Sequence, residues 1–586
     1  MRAIQFPKTL VAGLLLSAPA VTSLSIPILN PFYQHILNPP NHEICPLAPK
    51  IPSPDDGLLS GQRFVEDTTI RSQQAHRLSK AVQVPTTITD YMKDPYDPGF
   101  THFVEFHDLL KDLFPLTHKK AKPIPINRLG LVYTLKGTDP TLKPLLFTAH
   151  QDVVPINDPN DWTHPPFAGH FDGTWLWGRG ASDCKNVLIG LLSVIEDLLA
   201  QKWTPTRTVI LAFGFDEESH GFLGAGAIAS FLEEKYGKDS FEFVLDEGGM
   251  GLETLSTPSS SSRGNGEEGD DGVVYALPGV GEKGSIDIVL TLSVPGGHSS
   301  IPPPHTGIGI VSEIIYRLEK EDLFSPKLEE THPSRRKLEC QVRHSPGSVE
   351  PWLAGALSST DQVGTAEKLA QSRGDKFRYI LQTSQAADIF NGGVKSNALP
   401  EHISALVNYR IALHQTPAEV QFRAVKIITP IVEKYNLSLS AFPENPGEEE
   451  GKPNHLTLST LSGALSPAPV SPTETGKDAV WTRFAGVTRS VFESVPSLKG
   501  KTVVVSGDIM TGNTDTRFYW NLSRNIYRWS PSRAGGALNI HTVDERVAID
   551  VHLEAMALYY DLIRAFDAWD GSDDSRSVET VQNLDL

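Results

Sequence analysis

The chain has 586 residues, of which 39% are hydrophobic and 21% charged, with a formal net charge of −18. This length exceeds what one ordinary core serves, so two or more domains are expected in a soluble globular protein. Strong acidity without a clustered basic run excludes a nucleic-acid partner.

Residues 1–23 carry Arg2 and Lys8, an apolar run from Leu10 to Leu16 and small residues near Ser23. That is the layout of a cleavable secretory signal, and the run falls short of the ~20 residues that span a bilayer. The segment is expected to be a signal peptide or, if retained, an N-terminal anchor; only the anchor would make the membrane a partner. The route is the secretory pathway, ending in the vacuolar lumen or outside the cell. The sequons Asn436-Leu-Ser438 and Asn521-Leu-Ser523 fit that route. Of the three cysteines, Cys45, Cys184 and Cys340, two can bridge and one thiol is left over. Cys184 lacks a CxxC partner and reads as a small buried residue.

A strand-like run over 144–147 opens into Thr148-Ala-His-Gln-Asp152. In an extended chain, residues i and i+2 share a side. His150 is therefore suited to bind a metal through one ring nitrogen while Asp152 accepts a hydrogen bond from the other. Trp177-Gly-Arg-Gly-Ala-Ser-Asp-Cys-Lys-Asn186 places Asp183 in a glycine-rich turn ahead of a helix over 187–199. A strand over 208–213 runs into Asp216-Glu-Glu218, and a helix over 224–235 leads to a strand over 243–245 that ends in Asp246-Glu-Gly-Gly249. This alternation predicts an α/β fold, a mostly parallel mixed sheet flanked by helices, with its ligand site at the carboxyl ends of the strands.

The acidic, serine-rich stretch 256–272 has no large apolar residue and is expected to be a surface excursion. Residues 284–443 alternate strand (285–293), helix (308–318), strand (402–411), helix from Thr416 to about Tyr435, and strand (437–442), which predicts an inserted α+β lid domain. Residues 24–283 and 444–586 then form the two parts of a catalytic domain. The second begins with a Pro-rich insertion to about 478, within which 456–461 is expected to make a brief strand or helix.

Two adjacent carboxylates after a strand divide their work: if Glu218 coordinates a metal, Glu217 is held beside it and can take a proton from the attacking water. Asp246 is the preferred ligand at the next strand end, although spacing does not separate it from Glu247. Far downstream, His541 follows Gly535-Gly-Ala-Leu-Asn-Ile540. Two zinc ions bridged by one aspartate suit this mixture of imidazole and carboxylate.

With these motifs, and with Trp162-Thr-His-Pro-Pro-Phe167, Gly296-Gly-His-Ser-Ser300 and Gly512-Asn-Thr-Asp-Thr-Arg517, the chain resembles the co-catalytic zinc metallopeptidases that include carboxypeptidase S, aminoacylase and related exopeptidases. The similarity is nearest to the fungal carboxypeptidase S (Gly-Xaa carboxypeptidase) branch. It implies that His150 and Asp246 hold one zinc, Glu218 and His541 the other, and that Asp183 bridges the two. Asp152 then orients His150, and Glu217 is the general base. His298 matches the lid histidine that stabilises the oxyanion, and Asn397 and Arg410 match lid positions that hold the substrate carboxylate. In family dimers the lid histidine can act across the subunit interface, which implies a homodimer through the lid.

The implied activity is hydrolysis of the C-terminal peptide bond of short peptides. N-acyl-amino-acid hydrolysis on the same centre is the alternative. A secreted zinc-binding protein without catalysis is disfavoured, because a metal store has no use for Glu217.

Overall fold

A computed structural model of the protein describes residues 44–255, 271–321, 323–449 and 452–571. The expected signal or anchor at 1–23 and nearly all of the acidic excursion lie outside the described residues.

The chain lays down β1 (Ile124–Ile126), β2 (Gly130–Leu135), β3 (Leu145–His150), β4 (Val209–Gly214), β5 (Phe243–Asp246) and β6 (Gly279–Glu282) in a first sheet. It leaves after Lys283 to build a second sheet from β7 (Gly284–Ser293), β8 (Ser384–Gly392), β9 (His402–Ile411), β10 (Ser438–Ala441) and β11 (His455–Leu465). It then returns with β12 (Asp508–Met510) and β13 (Ile526–Arg528). The eight-stranded first sheet has the order β1-β2-β4-β3-β5-β13-β6-β12. Its centre is parallel, β4 with β3, β3 with β5 and β5 with β13, while β1, β2 and β4 pair antiparallel. The expected mostly parallel mixed sheet is therefore present. Every residue of β3 and β4 is buried, which explains their unbroken apolar runs.

Helix α1 (Lys185–Ala200) connects β3 to β4, and α2 (Ala225–Tyr236) connects β4 to β5. The two belong to separate apolar clusters: Leu188 and Leu192 of α1 pack with Phe147 and Phe213, and Ile228 and Leu232 of α2 pack with Leu146 and Ile210. Since Leu146 and Phe147 are consecutive on β3, the clusters lie on opposite faces of the sheet.

The second sheet has the order β8-β9-β7-β11-β10. Helices α3 (Gly307–Lys320) and α4 (Pro417–Lys434) cover it through Ile310, Ile314, Val420 and Ile428. Helix α4 begins as its sequence predicts: Thr416 and Glu419 form a reciprocal capping box, with Pro417 in the first turn. The Pro-rich segment was expected to add only surface and a brief element. Instead, β11 pairs antiparallel with β7 along nearly its whole length and buries Leu456 and Leu458. The inserted sheet thus extends past residue 443, because period-2 burial outweighs the Ser- and Thr-rich composition of this stretch.

Between α3 and β8 the chain adds four helices, Pro333–His344, Leu353–Leu357, Gln362–Arg373 and Asp375–Leu381. They share a core of Leu338, Leu353, Leu369 and Leu381 that also takes in Ile509 of the first sheet. The buried Asp508 accepts from Ser334 Oγ at 2.7 Å and Lys337 Nζ at 2.6 Å, and Cys45 is bridged to Cys340. Cys184 remains a buried free thiol. No described helix is long and apolar enough to cross a membrane.

Candidate active site

His150 ends β3, Glu217 and Glu218 form a short 3-10 turn after β4, and Glu247 follows β5. Asp183 sits in the loop before α1, and His541 lies on a loop near the C-terminus with φ +61°, a conformation that non-glycine residues adopt rarely and often at functional sites. His150 Nε2 lies 3.1 Å from Asp183 Oδ1 and 3.1 Å from Glu247 Oε1. His541 Nε2 lies 3.0 Å from the other Asp183 oxygen and 3.0 Å from Glu218 Oε1. One carboxylate is thus shared between two imidazoles, each of which also meets a glutamate.

Asp246 is not part of this group. It comes level with Thr148 and accepts from its Oγ1 at 2.7 Å, inside the sheet and two residues short of His150. The preference for Asp246 over Glu247 is therefore corrected, because only the longer side chain beyond the strand end extends into the cluster. Asp152 approaches His150 chiefly through its backbone carbonyl, 3.0 Å from Nδ1, with its carboxylate at 3.4 Å. Its other carboxylate oxygen accepts from the Glu218 N–H at 2.9 Å. Either contact favours a proton on Nδ1 and turns Nε2 toward the carboxylates.

The electrostatics suit cations. Burial, reinforced by Glu247, Asp515 and Glu218, pushes Glu217 well above the ordinary carboxylate range. Burial likewise raises Glu247 to about 8. Asp183 goes the other way: burial opposes it, but hydrogen bonds from His150 and His541 hold it well below the usual range. Hydrogen bonds to Asp183 and Glu218 raise His541 to about 10. A field that retains protons on so many groups is equally satisfied by dications, and the oxygen and imidazole donors fit them. Cys184 Sγ lies 3.2 Å from the His150 N–H, and burial raises its thiol so far that it stays protonated, unlike a thiolate ligand.

Three residues to which the sequence reading gives no role support the site. Glu545 accepts from the N–H groups of Gly180, Ser182 and Asp183 at 3.0, 3.0 and 3.2 Å and from Arg179 at 2.6 Å. Gln151 donates to Leu129 O and Phe213 O, fixing the strand end beside His150. Asn513 meets Arg410. Only the length of the acidic patch Asp544-Glu545, close behind His541, hinted at the first of these.

The lid residues divide. Arg410 lines a cavity of about 640 Å³ together with Glu217, Glu218 and His541. His298 and Asn397 lie together elsewhere, exposed on a short ladder in which His298 pairs with Ala398, and His298 Nδ1 accepts from Ser300 N–H at 3.1 Å. Strand β7 pairs Ser285 with Arg410 and Ser293 with His402. Eight residues at ~3.3 Å each separate Arg410 from the His402 end of the lid sheet, from which the His298 ladder continues, by roughly 26 Å. Within one chain, only Arg410 of the three lines the cavity with Glu217 and His541.

On the other side of the cluster a second cavity, about 300 Å³, is lined by Val187, Met510, Ala537, Ile540, Val551 and Ala555 as well as Asp183, Glu217 and Glu247. A cavity that sets Arg410 and Arg517 beside Glu217, Glu218 and Asp515 thus meets a more apolar one at Glu217 and His541.

Known proteins agree. Residues 146–565 match the model of peptidase family M20/M25/M40. Carboxypeptidase S of Saccharomyces cerevisiae is 39% identical over 536 residues, covering 90% of this chain and 88% of that one. The N-fatty-acyl-amino acid synthase/hydrolase PM20D1.1 of Danio rerio is 30% identical, over 83% of this chain and 84% of its own. The crystal structure of an M20 family metallo-carboxypeptidase from Sulfolobus solfataricus superposes with a TM-score of 0.54 at 16% identity, covering 85% of this chain and 99% of that chain, which shows the shared fold. The chain belongs to peptidase family M20/M25/M40, and it is a peptide-bond hydrolase.

Proposed function

We propose that the protein is a zinc-dependent carboxypeptidase that releases the C-terminal residue of short, N-blocked peptides. The observation that carries this reading is Arg410, a lid cation in the same cavity as Glu217, Glu218 and His541: a guanidinium there suits a substrate's terminal carboxylate. The acyl half then enters the apolar cavity beyond the cluster.

His150, Asp183 and Glu247 would hold one zinc, and Asp183, Glu218 and His541 the other; when bound, the pair supplies Lewis acidity to the scissile carbonyl and acidity to water. Glu217 takes the proton of the attacking water and returns it to the departing nitrogen, a role that suits a carboxylate whose proton affinity burial has raised. Asp152 keeps the His150 ring in one tautomer. Because His298 and Asn397 lie at the far end of the lid, a second copy of the chain would bring them to the site, His298 to the oxyanion and Asn397 to the carboxylate.

The secretory route rests on the Cys45–Cys340 bridge, which belongs to oxidising compartments, and on the exposure of Asn436 and Asn521 in their sequons. N-acyl-amino-acid hydrolysis is the second reading, favoured by the apolar cavity, and either the vacuolar lumen or the exterior fits as destination.

The test is release of free leucine from N-blocked Gly-Leu and from N-acetyl-leucine by the zinc-supplemented protein, with Glu217→Gln as control. Preference for the blocked dipeptide, lost in the variant, supports the carboxypeptidase. Preference for N-acetyl-leucine selects the second reading, and no turnover of either refutes both.

A further inference from the structure

The motif Gly512-Asn-Thr-Asp-Thr-Arg517 has no role in the mechanism so far, yet it lies at the junction of the two sheets. Thr514 Oγ1 donates to the buried Glu282 at 2.9 Å, and Thr516 Oγ1 accepts from Arg528 at 2.7 Å. These bonds tie the loop to the end of β6, where the chain crosses into the lid. Asn513 projects from the tied loop and reaches both ways: its Oδ1 accepts from Arg410 Nη1 at 3.0 Å, and its Nδ2 donates to the Lys283 carbonyl at 2.6 Å. A guanidinium can only donate and a carbonyl can only accept, so the orientation of the amide is fixed by its two partners.

Lys283 is itself anchored. Its buried ammonium donates to the carbonyls of Tyr379 and Gln382 at 2.8 and 2.7 Å. The Asn513 bond to Arg410 therefore joins a lid side chain to a rigid point of the catalytic half. Among the described residues it is the one side-chain hydrogen bond that Arg410 makes, so the rest of the guanidinium fork remains for the cavity it shares with Glu217 and His541. Asn513 lines that cavity and the apolar one alike. A neutral amide at this position orients the guanidinium without discharging it; a carboxylate there would pair with Arg410 and compete with the substrate.

We propose that Asn513 is the positioning residue that aims Arg410 at the substrate's terminal carboxylate, and that the preference for a free C-terminal acid depends on its being an uncharged amide. This rests on the assignment of Arg410 to that carboxylate.

The test compares N-blocked Gly-Leu with its C-terminal amide in the zinc-loaded full chain, for the wild type, Asn513→Ala, Asn513→Asp, Arg410→Ala and the double variant Asn513→Ala/Arg410→Ala. One hydrogen bond to a charged group is worth about tenfold in affinity. Asn513→Ala is therefore expected to raise KM for the acid about tenfold, with kcat within about twofold and the amide unchanged. Asn513→Asp, nearly the same shape, is expected to raise KM further and to bring acid and amide closer together. In the Arg410→Ala background, Asn513→Ala should add nothing. Equal losses on acid and amide, a fall in kcat alone, or full additivity in the double variant would overturn the positioning role. A wild type indifferent to acid and amide, or an Arg410→Ala variant with unchanged KM, would remove the Arg410 assignment itself and the proposal with it.

Discussion

Glu545 stands behind Asp183: its buried Oε1 accepts the Asp183 N–H at 3.2 Å while Oε2 takes Arg179 at 2.6 Å. The residue that shares its carboxylate between His150 and His541 is thus held in place by a carboxylate four positions after His541. Both sides of the bridge are coupled through one loop. Glu545→Gln keeps the shape but presents an amide N–H₂ toward the Arg179 guanidinium or toward the loop N–H groups, a donor facing donors in either case. Supporting groups of this kind are typically worth about 10- to 100-fold in metal affinity. Zinc affinity, measured by competition with a chelator, is expected to fall by about tenfold or more. An unchanged affinity would mean that the Asp183 loop holds its shape without Glu545.

The placement of Glu247, and not Asp246, beside His150 separates two neighbouring carboxylates. Glu247→Ala is expected to lower bound metal from two ions per chain toward one, with activity lost. Asp246→Asn keeps an acceptor for Thr148 and should retain both ions. Metal content of dialysed protein by mass spectrometry decides it; a loss of metal in Asp246→Asn with full occupancy in Glu247→Ala would reverse the assignment.

The helical insertion carries its own acid sensitivity. Glu350 accepts from Arg373 Nε at 2.9 Å and Nη2 at 2.8 Å, a bidentate pair that holds its carboxyl down to about 2. A carboxyl lowered on folding adds stability that is fully present above its unfolded value near 4.5 and is lost as pH falls toward 2. Thermal melting followed between pH 5 and 2 should show a shallower decline in Glu350→Gln than in the wild type, from a lower starting point. Parallel declines would mean that the pair contributes nothing on folding.

Much of the catalytic half was legible in the sequence because fully buried parallel strands read as unbroken apolar runs and each delivers its polar residue where the run stops. Thr416 and Pro417 announced a helix start by local chemistry alone. What escaped depends on register. Whether Asp246 or Glu247 meets His150 is decided by how far β5 slides along β3, which adjacent residues cannot reveal. The distance between Arg410 and His298 follows from two ten-residue strands pairing end to end, again invisible in spacing. The full length of strand β11 and its place in the lid sheet were hidden by the Pro-rich composition around it, although Leu456 and Leu458 carry the alternation that buries them. Asn513 and Glu545 were hidden because their partners lie more than a hundred residues away.

The two cavities meeting at Glu217 make a prediction about the acyl side. Ala555 lies on the helix Ile549–Asp567 and lines the apolar cavity with Val187, Val551 and Tyr559. Replacing its methyl group by a benzyl ring fills space without introducing charge, and a cavity of about 300 Å³ loses a large part of its depth. Overpacking in a buried helix typically costs about 1–3 kcal/mol of stability, so the variant should be assayed well below its melting temperature. Ala555→Phe is expected to reduce kcat/KM for benzyloxycarbonyl-Gly-Leu by about tenfold or more, the scale on which apolar pockets discriminate size. Turnover of N-acetyl-leucine, whose acyl group is a single acetyl unit, should change little. If both substrates decline together, the acyl half does not enter this cavity and must lie along the lid; if the ratio shifts as expected, the size of the blocking group is read in the catalytic domain and the terminal carboxylate in the lid.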